Sequence, residues 1–426
     1  MFGYGRVFVR AEGTRLWDSE GREYLDALAG FGATNLGHRH PALRQALAEE
    51  LAQPHPDLLH IGPSTAMAEL ASQLTGLAGP PLEVAMFSTS GGEAVESALK
   101  LARAATRRSG FVYCEDGFHG TGLGALSVMG AERMRAPFEP LLQDCQRVPF
   151  GDLAALEKAL NPQAAAFLVE PIQGEGGVRL PEADYLAQAQ RLCRANGSLL
   201  LLDEVQTGLG RTGGLFAFQG QLEPDVVILG KALGGGILPV SACLTSRDLH
   251  QRAYGTVERF DLHGSTFSGY ALGCAAARAS LKILADEGLV ENARDRGRQL
   301  LEGLQTALDG HPLVRQVRGQ GLLVGIELGV EAGGLKGSVV GAVSRNVFGQ
   351  WLAVRLLERG IICQPAALRW DVLKLEPPLT ISPEEVERLV DEVVGVLSAY
   401  RELTPLLRDV GKRLGRQFLA GWKFPD

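Results

Sequence analysis

The chain has 426 residues, with 42 Lys plus Arg against 49 Asp plus Glu and a formal charge of −7. An apolar fraction of 46% and a charged fraction of 21% are globular values, and the length suits a large domain with a smaller one. The negative balance argues against nucleic acid or anionic membrane as partner, and no apolar run reaches the length of a membrane span. The first residues carry no secretory pattern, and the six cysteines form no CxxC pair and no ligand spacing with histidine. The expectation is a reduced, cytoplasmic protein without a metal site.

Residues 7–29 read as a short β-meander, followed by a glycine-rich link at Gly30-Phe31-Gly32 and Asn35-Leu36-Gly37-His38. His38 and His40 resemble a ligand pair, but His40-Pro41 reads better as a loop entering a helix. Helix periodicity over 41–53 puts Leu43, Leu47 and Leu51 on one stripe, and a second helix runs through 66–74. A strand at 84–87, the loop Ser88-Thr89-Ser90-Gly91-Gly92-Glu93 and a helix from about Ala94 to Thr106 follow. Free N–H groups at such a helix start can cradle an anion. The same residues also read as an ordinary cap completed by Glu93 or Glu96. No GxxxxGK[ST] pattern is present, which speaks against ATP.

From there short apolar runs alternate with helical patterns. Strands at 111–113, 165–169, 199–202 and 226–229 are interleaved with helices at 152–160 and 182–196. This predicts an α/β fold with a mostly parallel central sheet covered on both faces. Glu170, Asp203 and Lys231 then fall just past strand ends, where open α/β sheets hold ligands. A lysine between buried flanks loses hydration, which lowers its pKa and makes its amine a nucleophile. The alternative is a lysine that snorkels to water. One or two helices over 271–308, strands at 314–321 and 322–328, a helix from about Val340 to Glu358, strands at 360–363 and 372–375, and a helix over 384–399 complete a small α+β domain. The expected division is 1–45 as the N-terminal part of the small domain, 46–308 as the large domain, 309–400 as the C-terminal part and 401–426 as a tail.

These residues suit an aldehyde cofactor with a pyridine ring and a phosphate. Lys231 would carry the aldehyde as a Schiff base and, once displaced, move protons as general acid/base. Asp203 would keep the pyridine nitrogen protonated. Gly91 and Gly92 would hold the phosphate, Phe118 and Val205 the ring faces, and Gln206 would donate to the ring hydroxyl oxygen.

The chain resembles the class III aminotransferases, which are fold-type I pyridoxal-phosphate enzymes, from about Phe8 to Ala399. The resemblance lies in Ser90-Gly91-Gly92-Glu93-Ala94, Phe118-His119-Gly120, Glu170-Pro171-Ile172-Gln173-Gly174-Glu175, Asp203-Glu204-Val205-Gln206-Thr207-Gly208, Gly230-Lys231-Ala232-Leu233-Gly234 and Ser265-Thr266-Phe267. It implies pyridoxal 5′-phosphate, with Ser90 and His119 also in the cofactor site. Glu170 would support the cofactor by hydrogen bonding near Gln206 or the ring hydroxyl. It further implies a homodimer with shared active sites, with pairing into tetramers open, in which Thr266 reaches the partner's phosphate.

Within the family the chain is most similar to the ornithine, acetylornithine and putrescine branch, and nearest to putrescine aminotransferases. Phe31, Glu175 and Lys374 are its expected substrate contacts. Two positions that carry arginine in related enzymes are Thr121 and Lys374 here, so a Glu175–Lys374 pair and weak selection for α-amino acid donors are expected. The implied reaction moves an amino group from a diamine or terminal-amine amino acid to a 2-oxo acid such as 2-oxoglutarate or pyruvate, through a pyridoxamine phosphate intermediate. Alternatives are an acetylornithine or 4-aminobutyrate aminotransferase, a decarboxylase, racemase or aminomutase on the same scaffold, and an inactive cofactor-binding scaffold.

Overall fold

The computed structural model describes residues 5–329 and 347–400, with residues 408, 409, 411 and 412 beyond them. The chain opens with β1 (Phe8–Glu12), β2 (Arg15–Asp18) and β3 (Glu23–Asp26), then α1 (Pro41–Leu51) and α2 (Thr65–Ala78). The central part runs β4 (Val84–Ser88), α3 (Gly91–Thr106), β5 (Gly110–Cys114), β6 (Cys145–Val148), α4 (Leu153–Ala159), β7 (Ala164–Val169), α5 (Tyr185–Asn196), β8 (Leu199–Asp203), β9 (Val226–Leu229) and β10 (Ser241–Thr245). Helices α6 (Arg247–Tyr254), α7 (Ala271–Asp286) and α8 (Leu289–Ala307) follow. The C-terminal part holds β11 (Val314–Gln320), β12 (Leu323–Leu328), α9 (347–358), β13 (Ile361–Ile362), β14 (Gln364–Pro365), β15 (Val372–Leu375) and α10 (Pro383–Ser398).

The central sheet has the order β4-β10-β9-β8-β7-β5-β6, parallel throughout except for β10, which is antiparallel to both neighbours. Its strands are buried on both faces, which is why they appear as unbroken apolar runs. On one face Val112, Phe167, Leu200, Leu202, Val227 and Leu229 pack with α2, α5 and α7. On the other, Phe111, Leu168, Leu201 and Ile228 pack with α3 and α6. The period of two along each strand divides the core between the two layers.

The chain ends build the other two sheets, β1-β2-β3-β13 and β11-β12-β15-β14. Ile361 pairs with Leu25, so the N-terminal meander is completed by a C-terminal strand. The Glu376 N–H donates to the Ala27 carbonyl at 2.9 Å, which brings the segment carrying Phe31 against the end of β15.

Several expectations need correction. The helix after Ser90 begins at Gly91, not Ala94, because the Ser90 hydroxyl accepts from the Glu93 N–H and caps it. The α1 stripe is incomplete: Leu43 is buried, but Leu51 is 71% exposed, since the last turn extends beyond the core. The 182–196 helix starts at Tyr185, and 271–308 is two helices joined through a left-handed Gly288. β6, β10 and α6 were not anticipated as elements. The expected helix from Val340 begins, and the tail from 401 largely lies, outside the described residues. Among the described residues no helix is long and apolar enough to cross a membrane.

Candidate active site

β9 ends at Leu229, and the chain passes through an extended Gly230 into a single 3₁₀ turn that begins with Lys231. Lys231 has φ +44°, a left-handed conformation that residues with a β-carbon rarely adopt. It is half-buried and faces a cavity of about 170 Å³. Burial lowers its pKa, and the nearby Lys374 adds to the shift, while Glu175, Glu376 and Glu170 oppose it. A larger, more open cleft of about 610 Å³ lies between α1 and α7 but holds none of the strand-end residues.

Asp203, the last residue of β8, lines the same cavity. Its Oδ2 accepts from His119 Nδ1 at 2.7 Å and its Oδ1 from the Val205 N–H at 3.0 Å. Burial alone would lower the His119 pKa, but the bond and charge of Asp203 raise it; facing a carboxylate oxygen, Nδ1 is assigned as the donor. His119 Nε2 is buried without a partner among the described residues. Glu170, just past β7, accepts from the Phe118 N–H at 2.9 Å and the Gly174 N–H at 3.3 Å. Its carboxyl is pushed up to about 7 by burial, with Asp203 adding and His119 opposing. Glu170 lines the same cavity as Gln206, each of its oxygens accepting one backbone N–H.

Gly91 and Gly92 form the first turn of α3 and line the cavity with Val205 opposite. A β-carbon at Gly91 would stand 2.8 Å from Val205 Cγ1, so only glycine leaves the cradle open. Phe118 is half-buried on the cavity wall, beside Leu126, Met129 and Leu141.

Gln206 is oriented by its surroundings. Its amide nitrogen donates to Glu175 Oε1 at 3.1 Å, Glu376 Oε2 at 3.2 Å and the Phe31 carbonyl at 3.4 Å. Three acceptors around one atom require that atom to be nitrogen. The amide oxygen has no partner among the described residues.

The Glu175–Lys374 pair is formed: the fully buried Lys374 ammonium donates to Glu175 Oε1. It also lies 2.8 Å from Glu376 Oε1 and 5.5 Å from the centroid of the Phe31 ring. Burial alone would raise the Glu175 carboxyl, but Lys374 and Lys231 hold it down at about 2, helped by the Ala367 N–H. Lys374 is raised, the two carboxylates outweighing its burial. Glu376 was missed by the sequence reasoning. The signal was there, since a residue two positions after Lys374 leaves the strand on the same face.

Ser90 and Thr266 are not among the residues lining the cavity. Ser90 is engaged as the α3 cap, and Thr266 sits on an exposed loop whose neighbour Ser265 bonds Glu93 Oε1 at 3.2 Å. Phe31 is 40% exposed and approaches the site through Lys374 and Gln206.

A mostly parallel sheet with a ligand cavity at its strand ends, flanked by a smaller unit from both chain ends, is the architecture of the fold-type I pyridoxal-phosphate transferases. The chain belongs to the class III aminotransferases: the family described as Aminotransferase class-III matches residues 4–397. It is 39% identical over 397 residues to the acetylornithine aminotransferase of Methanopyrus kandleri, covering 92% of this chain and 94% of that protein. It is 36% identical over 421 residues to aminotransferase PigE of a Serratia species, covering 90% of this chain but 49% of PigE, so it spans about half the length of that relative. The ornithine aminotransferase of Toxoplasma gondii, crystallised with partial occupancy of PLP at its active site, matches with a TM-score of 0.83 at 32% identity, over 92% of this chain and 90% of that one.

Proposed function

We propose that the protein transfers an amino group from a diamine or another terminal amine to a 2-oxo acid, with pyridoxal 5′-phosphate held beside Lys231. The observation that carries this reading is the convergence of a lowered-pKa lysine and a His119-bonded Asp203 on one cavity. The residues present fit the cofactor. Gly91 and Gly92 leave a cradle that any β-carbon at Gly91 would fill, at the start of a helix whose N–H groups favour a phosphate. Gln206 lines the same cavity, and its buried Oε1 has no partner among the described residues, which leaves the amide available to a ring hydroxyl.

When bound, the group supplies an aldehyde for amine attachment and a ring that accepts electrons. Lys231 would provide the amine and then move a proton at the substrate carbon, a role that the lowering of its pKa by burial favours. Asp203 would hold the ring nitrogen, with His119 fixing its carboxylate in place. Phe118 and Val205 supply apolar contact for the ring and exclude water.

The diamine reading is favoured by Lys374, which is already committed to two carboxylates, and by Thr121 where related enzymes carry arginine. An acetylornithine- or ornithine-type donor is the second reading, favoured by the 39% identity to the Methanopyrus kandleri enzyme. A homodimer is favoured by the exposed apolar side chains Val257, Phe260, Leu262 and Phe267 on the loop that carries Thr266.

The test is a half-reaction screen. Holoenzyme is mixed separately with putrescine, cadaverine, ornithine, acetylornithine, lysine, 4-aminobutyrate and β-alanine, and bleaching of the visible cofactor band is followed. Putrescine and cadaverine are expected to bleach fastest, and 2-oxoglutarate or pyruvate to restore the band with one equivalent of amino acid formed. Release of carbon dioxide, or racemisation without consumption of the oxo acid, overturns the assignment.

A further inference from the structure

We infer that Glu376 is a specificity-determining residue, a second buried carboxylate that holds Lys374 and so denies this ammonium to a substrate carboxylate. The inference rests on the amino-transfer reading and names the residue that would set the donor class.

Lys374 has three ammonium donors and no contact with solvent. One goes to Glu175 and one faces Glu376 Oε1 at 2.8 Å, while the Phe31 ring covers the group at 5.5 Å. The two carboxylates are not equally dependent on it. Glu175 keeps the Ala367 N–H at 2.8 Å and the Gln206 amide at 3.1 Å if Lys374 turns away. Glu376 keeps only the same Gln206 amide, at 3.2 Å, and is itself fully buried. An incoming substrate carboxylate that drew Lys374 toward itself would leave Glu376 buried without the ammonium now beside it, a loss that low dielectric penalises. The other buried cation nearby, Arg211, feels the charge of Glu376 but makes no hydrogen bond to it. Its guanidinium is spent on the Leu322 and Pro377 carbonyls and on Asn35 Oδ1, at 2.6–2.8 Å.

The cluster therefore holds one ammonium between two carboxylates, and Glu175 and Gln206 carry this surplus of acceptors to the cavity wall. A donor whose far end is a second ammonium meets complementary charge there. A donor with a carboxylate meets like charge and a lysine that is already engaged. Replacing Lys374 by arginine does not by itself free a cation, because Glu376 remains to bind it.

The experiment measures KM and kcat on the holoenzyme for 1,4-diaminobutane, 4-aminobutyrate and 1-butylamine, the last carrying neither group. In Glu376→Gln, which keeps size and hydrogen bonding but removes the charge, the ratio of KM for 4-aminobutyrate to KM for diaminobutane is expected to fall at least tenfold, with kcat changing less. Lys374→Arg alone should leave that ratio near wild type, and Lys374→Arg with Glu376→Ala should lower it furthest. Titration of unreactive glutarate into the holoenzyme should show tighter binding in Glu376→Gln. An unchanged KM ratio, unchanged glutarate affinity, or carboxylate donors accepted by Lys374→Arg alone would overturn the inference. If no amine reacts with the wild-type enzyme, the amino-transfer reading fails, and the glutarate titration still decides the role of Glu376.

Discussion

The backbone at Lys231 is bent into the left-handed region, which costs a residue with a β-carbon about 1–3 kcal/mol. The surrounding turn holds that conformation, and it delivers the amine to the cavity as β9 ends. Lys231→Ala keeps the β-carbon and so the backbone strain, and should leave the fold intact while lowering amino transfer by roughly 10²–10⁴-fold, the usual range for a positioned acid/base group. Borohydride reduction followed by peptide mass analysis should find the pyridoxyl adduct on Lys231 in the wild type and none in the variant. Asp203→Asn keeps the size of the side chain but removes the charge that His119 supports. A loss of about 10²–10³-fold in kcat is expected, typical for one preorganised electrostatic contact, with the cofactor still bound by absorbance. Glu175 was marked only through the family resemblance, whereas Lys231, Asp203 and Glu170 were legible because polar residues just past apolar runs are conspicuous in the sequence. The direction of the Gln206 amide was not, since it depends on acceptors 31 to 175 residues away in the chain.

The start of α3 shows how sterics and helix propensity oppose each other within one element. An alanine at Gly91 would favour the helix by about 1 kcal/mol, yet its methyl would meet Val205 at 2.8 Å. Gly91→Ala is therefore expected to lower the melting temperature of the cofactor-free protein slightly, the clash of about 1–3 kcal/mol outweighing the helix gain, while weakening pyridoxal-phosphate affinity by about tenfold or more. Equilibrium dialysis of the chromophore measures this. At the end of β8, Glu204 accepts the Ala217 and Phe218 N–H groups, both at 2.8 Å, and fastens the following loop. Its carboxyl is pushed up to about 7 by burial, with Asp203 adding, from an ordinary value of 4.5. Between those values the native state holds a proton that the unfolded chain has released. Stability therefore falls as pH rises through this window, by roughly 1–3 kcal/mol at about 1.4 kcal/mol per pKa unit. Glu204→Gln should flatten that slope in urea midpoints, whatever its absolute stability. The elements themselves were readable where burial on both faces produced unbroken apolar runs, as in β7, β8 and β9. β10 escaped because Ser241-Ala-Cys-Leu-Thr has neither a long apolar run nor clear alternation, and only its two neighbours make it a strand.

At the scale of the molecule, the site is an edge of one sheet closed by both chain ends. The cavity lies among loops from β4, β5, β7, β8 and β9, while β15 and the segment after β3 bring Lys374, Glu376 and Phe31 to it. The sheet was foreseeable from the alternation of strands and helices, but the pairing of Ile361 with Leu25 was not, because nothing local in either segment specifies a partner so distant. For the loop with Val257 and Phe260, 82% and 70% exposed, a second copy is the expected cover. Sedimentation should give a dimer, and Val257→Asp with Phe260→Asp should shift it toward monomer and reduce activity. The reversed strand β10 has a further consequence. Since it is antiparallel to both β4 and β9, those two strands point the same way and finish on one side, two inter-strand spacings or about 10 Å apart. The glycine cradle and Lys231 are thus tied to each other through a single intervening strand, and a ligand that grips both braces the sheet at that place. Cys243 lies in the middle of this strand, fully buried between Met86 and Ile228, and can meet a thiol reagent only when the seam parts. Its labelling rate would then serve as a clock for the opening of this edge, slow with the cofactor in place and faster once it has been removed.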